Sequence, residues 1–168
     1  MKYFFISDHA DVWGAARKYV EGGGWIEECE KSGRCELINY AKLFDGWTVW
    51  AAGWYSPVTK PRTKYYPLFL KDAFEVWNKL AKKYNKLLVP SVIPGYIAKQ
   101  DPPEFHLPRN ADMFEEMLKN VLVFSLSVKI DTYNEYREST NIDPTMEENN
   151  CFLKALEKVV LTKISNKT

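Results

Sequence analysis

The stretch "KIDTYNEYREST", residues 129–140, decides how this chain is read. It opens as a strand should, with β-branched and aromatic residues in alternation. It then places Glu135 and Glu138 three positions apart, flanked by Asn134, Tyr136 and Arg137. Side chains alternate faces along a strand, so Lys129, Asp131, Tyr133 and Glu135 share one side, and Val128, Ile130 and Thr132 the other. The apolar side suits packing against helices. A sheet covered by helices on both faces would bury Lys129 and Asp131 at high cost. The interior of a barrel, where charged layers pair with one another, accommodates them.

Working outward, the same alternation of strands and helices recurs. "KYFFISDH" reads as a first strand and "WTVWAAGWYSP", residues 47–57, as a second. "KLLVPSVIPGY" reads as a third strand, apolar almost throughout, as expected for a covered parallel sheet. Pro90 cannot donate to its ladder. "LSVKIDTYNE" is the fourth. From Leu68, the residues Phe69, Phe74, Trp77, Leu80, Ala81 and Tyr84 recur at helical spacing, and the helix ends near Asn85. "ADMFEEMLKNVLVF" reads as a helix with Asn110 as N-cap. "TMEENNCFLKALEKVVLTKI" reads as a terminal helix. Residues 12–40 are mixed, with short helical stretches, and "EGGGW", residues 21–25, is a flexible turn. The segments "SPVTKPRTKYYP" and "IAKQDPPEFHLPRN" read as loops.

This order predicts an α/β fold of parallel βα units. The 168 residues read as a single domain of four such units, residues 1–168. Two architectures fit: a small doubly wound sheet, or half of a (β/α)8 TIM barrel, whose usual length is roughly 250 residues or more. The polar face of the fourth strand favours the half-barrel.

The functional end of either architecture is the carboxyl end of its strands. There the first strand presents Asp8 and His9, the second Trp54 and Tyr55, the third Tyr96, and the fourth Asn134, Glu135 and Tyr136, with Glu138 just beyond. Two carboxylates on a tight turn can converge on one ligand, and glycoside cleavage commonly uses such a pair. Spacing alone fits two surface loop acids better, since ExxE is common.

Bulk properties exclude several classes. With 46% hydrophobic and 15% aromatic residues, the chain can build a core. Lys and Arg number 23 against 22 Asp and Glu, so net charge offers no case for nucleic acid or an acidic membrane surface. The six Trp, ten Tyr and nine Phe suit a core of large side chains, or rings stacking on sugars. Three cysteines, Cys29, Cys35 and Cys151, with no CxxC pair argue against a disulfide framework and a zinc site. His9 and His106 form no ligand motif. No apolar run is long enough for a membrane span, and the start does not read as a signal peptide, so a cytoplasmic chain is expected.

"VKIDTYNEYRESTNIDP", residues 128–144, resembles the last-strand signature of glycoside hydrolase family 99, the endo-α-mannosidase and endo-α-mannanase family. There the pattern runs roughly Ser-Phe-Asn-Glu-Trp, one residue, Glu-Gly-Thr, Gln, Ile-Glu-Pro. "LLVPSVIPGYIAKQ", residues 87–100, is similar to the family segment ending in Pro-Gly-Tyr, and "LFDGWTVWAAGWY" to the preceding strand with its Asp-Gly start. The likeness spans about residues 43–160 and covers only the C-terminal half of such a barrel.

The resemblance implies a retaining, endo-acting barrel for α-mannosides, with an oligosaccharide or glycan as partner and no metal or organic cofactor. By motif position, Glu135 corresponds to the base that activates the sugar's own 2-hydroxyl, and Glu138 to the general acid/base. Tyr96 falls in the substrate cleft. Tyr136 stands where the family has Trp, Arg137 precedes the second acid, Ser139 replaces Gly, and Asp143 replaces Glu. Ser139 restricts the backbone where a positive φ would be needed. A related family of polysaccharide-synthesis glycosyltransferase-like barrels shares an Asn-Glu-Trp-x-Glu-Gly signature. With strands one to four absent, a half-sheet exposes two edges. Closure by a second copy, a homo-oligomer with two-fold symmetry, is the preferred expectation. A separate partner chain, or the remainder of a longer gene product, are the others.

Overall fold

The structure is a computed structural model that describes residues 6–8, 42–48, 62–103, 106–137 and 139–165. Three short strands, β1 (Ile6–Asp8), β2 (Gly46–Thr48) and β3 (Leu87–Val89), lie parallel in chain order. Ile6, Gly46 and Leu87 are aligned across them. A second parallel pair joins β4 (Ser91–Val92) to β5 (Lys129–Ile130), with Ser91 opposite Lys129.

Pro90 is what separates β3 from β4. It has no N–H for a ladder, yet its carbonyl accepts from Lys129 N at 2.8 Å, and Val92 O accepts from Asp131 N at 3.0 Å. The expected third strand is therefore two short pieces ending at Val92. Each later strand adds on the same side as the one before. A doubly wound sheet reverses direction at a switch point, and no reversal occurs among the described strands, an order consistent with part of a barrel wall. The described strands form an arc, not a closed barrel.

Three helices lie wholly within the described residues: α1 (Arg62–Lys83), α2 (Ala111–Val121) and α3 (Cys151–Ser165). Helix α1 starts before Leu68 and runs through Pro67, which the sequence reading places in a loop. A proline there forfeits one backbone bond. Its C-terminus is closed by Asn85 at φ 52°, with Asn85 N donating to Lys82 O at 3.2 Å and Lys86 N to Ala81 O at 2.8 Å. That is the paired-bond stop favoured by a residue that tolerates the left-handed region. Asn110 caps α2 as expected: its backbone is extended, and its side chain accepts from Met113 N at 2.8 Å. Helix α3 begins six residues later than the sequence suggests, because Asn149 at φ 53° interrupts the helical path. Thr145 and Asn149 pair back-to-back there, and Glu148 N donates to Thr145 Oγ1 at 3.0 Å.

The core lies between the arc and its helices. Leu70, Phe74, Trp77, Leu80 and Ala81 of α1 are buried, as are Met113, Phe114, Met117, Leu118 and Val121 of α2. Phe152, Ala155 and Val159 of α3 join them. Burying each large side chain stabilises the fold by about 1.5–3 kcal/mol. Trp47 meets Trp77 edge-on at 6.0 Å, and Phe114 meets Phe152 at 5.7 Å. Strand parity sorts the remainder: Trp47, Leu88, Val92 and Ile130 share the helix side, whereas Thr48, Ser91, Lys129 and Asp131 share the inner side. Lys129 and Asp131 pair at 2.8 Å on that inner side, with the Asp131 side chain only 5% exposed. A charged layer inside the wall is what the sequence of β5 predicts. No described helix is long and apolar enough to cross a membrane.

Candidate functional site

The strand character of residues 126–135 ends at Ile130. Beyond it, residues 131–137 and 139–143 belong to a loop that closes on itself. Thr132 N donates to Thr140 O at 2.9 Å, and the two threonine hydroxyls are 3.1 Å apart. Tyr133 O accepts from both Ile142 N, at 2.9 Å, and Asp143 N, at 3.0 Å. The shared face proposed for Lys129, Asp131, Tyr133 and Glu135 therefore holds for the first pair only. Tyr133 and Glu135 are carried by the loop.

Within this loop Glu135 is held at three points. Its N–H donates to Thr132 Oγ1 at 3.0 Å, its carbonyl accepts from Thr140 N at 3.1 Å, and its carboxylate Oε1 accepts from Arg137 N at 2.8 Å. The residue as a whole is half-buried, and Oε2 has no hydrogen-bond partner among the described residues. Asn134 is exposed. Tyr136 is 60% exposed; its hydroxyl donates to Asp143 Oδ2, and that carboxylate holds the phenol pKa above its usual value. Asn141 Nδ2 donates to the other Asp143 oxygen at 3.0 Å. Ser139 adopts φ 54°, the left-handed conformation the sequence comparison anticipates at this position.

The Pro-Gly-Tyr block lies close to this loop through one residue. A Cβ on Gly95 would fall 2.7 Å from both Cα and Cγ of Arg109. Arg109 Nη1 in turn donates to Ser139 O at 2.7 Å and to Asn141 Oδ1 at 3.3 Å. Nε and Nη2 donate to the two carboxylate oxygens of Glu148 at 2.7 and 2.5 Å. The guanidinium lies 4.6 Å above the Phe152 ring. Nothing in the spacing of "PRN" marks Arg109 as central, and the contact with Glu148 spans 39 positions.

Tyr96 is buried at 6% exposure. Its backbone pairs with Leu107, and its hydroxyl donates to Asp101 Oδ2. His106 Nε2 lies 3.0 Å from Ala98 O and 3.1 Å from Asp101 O, so this nitrogen carries the proton. Asp8 ends β1. His9, Trp54, Tyr55 and Glu138 lie outside the described residues, as do the glycine-rich turn and the stretches read between residues 12 and 40. Two surface depressions flank α3: one of 510 Å³ lined by Pro144, Thr145, Asn149, Asn150 and Lys154, the other of 170 Å³ lined mainly by Leu122, Val123, Val159 and Thr162. Neither includes Glu135 or Tyr136. No cluster of His, Cys, Asp and Glu suited to a metal occurs among the described residues.

No family model matches the chain, and neither does any curated protein. Solved structures do match. One is the GH99 endo-α-mannosidase from Bacteroides thetaiotaomicron in complex with Bis-Tris-propane, with a TM-score of 0.53 and 20% identity over 74% of this chain. A second structure of the GH99 endo-α-mannosidase from that organism gives a TM-score of 0.49 and 21% identity, covering 69% of this chain and 38% of the other. This chain spans 42% of the length of the first. At that identity the likeness shows the fold: an α/β arc of parallel strands, part of a TIM-barrel-like wall.

Proposed function

We propose that the chain is the C-terminal half of a retaining, endo-acting glycoside hydrolase barrel for α-mannosides, with Glu135 and Glu138 as its acids. The observation that carries this reading is Glu135, half-buried in the loop that follows the last described strand, with one carboxylate oxygen anchored by Arg137 N. The exposed ring of Tyr136 stands next to it in sequence. A carboxylate held by one oxygen keeps the other to accept a proton. In this reading Glu135 removes the proton of the sugar 2-hydroxyl as that oxygen attacks the anomeric carbon. Glu138 protonates the departing glycosidic oxygen and then activates water. Tyr136 and Asn134 contact the sugar, with Tyr96 forming part of the wall behind them. Trp54, Tyr55, Asp8 and His9 complete the rim. The fold-level likeness to the GH99 structures supports the substrate class.

In this reading the remaining wall comes from a second copy, from another chain or from the remainder of a longer gene product, a second copy being preferred. Hydrolysis of an aryl α-mannobioside or of α-mannan tests the proposal. Activity that falls by about 10²–10⁴ in Glu135→Gln and in Glu138→Gln supports both roles. Inactivity of the native chain at high concentration refutes catalysis. The exposed ring of Tyr136 also fits one other reading, a sugar-binding half-barrel without turnover. Calorimetry showing oligomannoside binding with no hydrolysis selects it. A monodisperse monomer in light scattering argues against completion by a second copy.

A further inference from the structure

We propose that Arg109 is the positioning residue of the acid loop. The inference rests on the reading that this loop carries the acids. All three guanidinium nitrogens are used, and the side chain is only 12% exposed. The fork on Glu148 fixes the plane of the guanidinium, and stacking on Phe152 fixes its height. The nitrogen left over, Nη1, is thereby aimed at Ser139 O and Asn141 Oδ1. Two consequences follow for the loop.

Ser139 is the residue after Glu138 in sequence, and it sits in a left-handed conformation that a non-glycine residue adopts only when held there. Arg109 holds its carbonyl. Asn141 passes the constraint on: its amide donates to Asp143, whose other oxygen receives the Tyr136 hydroxyl. One cation thus sets both the backbone beside the second acid and the direction of the aromatic ring beside the first. Helices α2 and α3 have ties that do not use the guanidinium nitrogens, the Phe114–Phe152 contact and the bond of Lys158 to Glu115. Removing the guanidinium is therefore expected to free the loop while the helices stay docked.

Amide hydrogen exchange of the full chain tests this in Arg109→Lys, Arg109→Ala and Glu148→Gln. The expected result is exchange about tenfold faster, or more, across residues 132–143, with α2 and α3 amides changed less than about twofold. Lysine keeps the charge but not the fork, so Arg109→Lys should fall between native and alanine. It also keeps the test decisive should Arg109→Ala not fold. Loop exchange unchanged in Arg109→Lys and Glu148→Gln, or acceleration spread evenly over the helices, overturns the proposal. No step needs sugar: a native chain without hydrolysis sinks the functional reading and leaves this result standing.

Discussion

Replacing Gly95 with alanine puts two effects of opposite sign in competition. At an ordinary backbone site, Gly→Ala stabilises by about 0.4–1 kcal/mol, because the unfolded chain loses freedom. Gly95 does not occupy the left-handed region, so this gain is available in principle. Against it stands contact. The new Cβ would lie 2.7 Å from Arg109 Cα, 2.7 Å from its Cγ and 2.9 Å from its N. Relaxed carbon–carbon contacts sit near 3.5–4.0 Å, so the two segments must part by roughly 0.8 Å or more. Two of the three atoms are backbone and cannot swing aside. Overpacking of this kind costs about 1–3 kcal/mol, and displacing Arg109 loosens its bonds to Ser139 and Glu148 as well. A net loss of about 1–3 kcal/mol should lower Tm by about 2–12 °C for a chain of this size. Thermal unfolding followed by circular dichroism, with chemical denaturation beside it, reads the sign directly. A Gly95→Ala variant as stable as the native chain, or more so, would show that the two segments do not meet as described.

Three further expectations concern the same framework. Ser139→Gly should raise stability by up to about 1 kcal/mol, since relief of a left-handed serine outweighs the added freedom of the unfolded chain; a loss in denaturant midpoint contradicts this. The Glu115 carboxyl is held below its usual pKa by its bond to Lys119 and then by Lys158. Its stabilisation is thus complete above about pH 4.5 and is lost as pH falls through the lower folded value. Glu115→Gln should therefore show a shallower decline in stability on acidification than the native chain, and equal declines would exclude the linkage. The Tyr136 phenol is raised by its bond to Asp143, so its stabilisation is present below about pH 10 and lost as pH rises through the higher folded value. Asp143→Asn should bring one tyrosine titration, followed by ultraviolet absorbance, to lower pH.

Sequence alone reveals those features that depend on neighbours in the chain. Asn110 is readable as a cap because it precedes an amphipathic run, and Asn85 as a stop because a charged helix ends beside it. The inner polar layer is readable from the alternation of Lys129 and Asp131. The length of β5 is not, because Thr132 and Tyr133 suit a strand, yet their backbone groups bond back across the loop to Thr140, Ile142 and Asp143. The start of α1 is masked by Pro67, which reads as a loop residue. Within the candidate site, Glu135 and Tyr136 stand out by motif. Arg109 does not, because its partners Ser139, Asn141 and Glu148 lie 30 to 39 positions away.

The missing side chain of Gly46 has a consequence for how the wall assembles. A Cβ there would meet Leu87 O at 2.5 Å and Ile6 Cδ1 at 2.9 Å, so the middle strand carries a notch that both neighbours fill. Sliding that strand by one residue would drive either Trp47 or Asp45 into the notch, and neither fits. The vacancy thus works as a key, rejecting mis-threaded alignments of the first three strands without help from any helix.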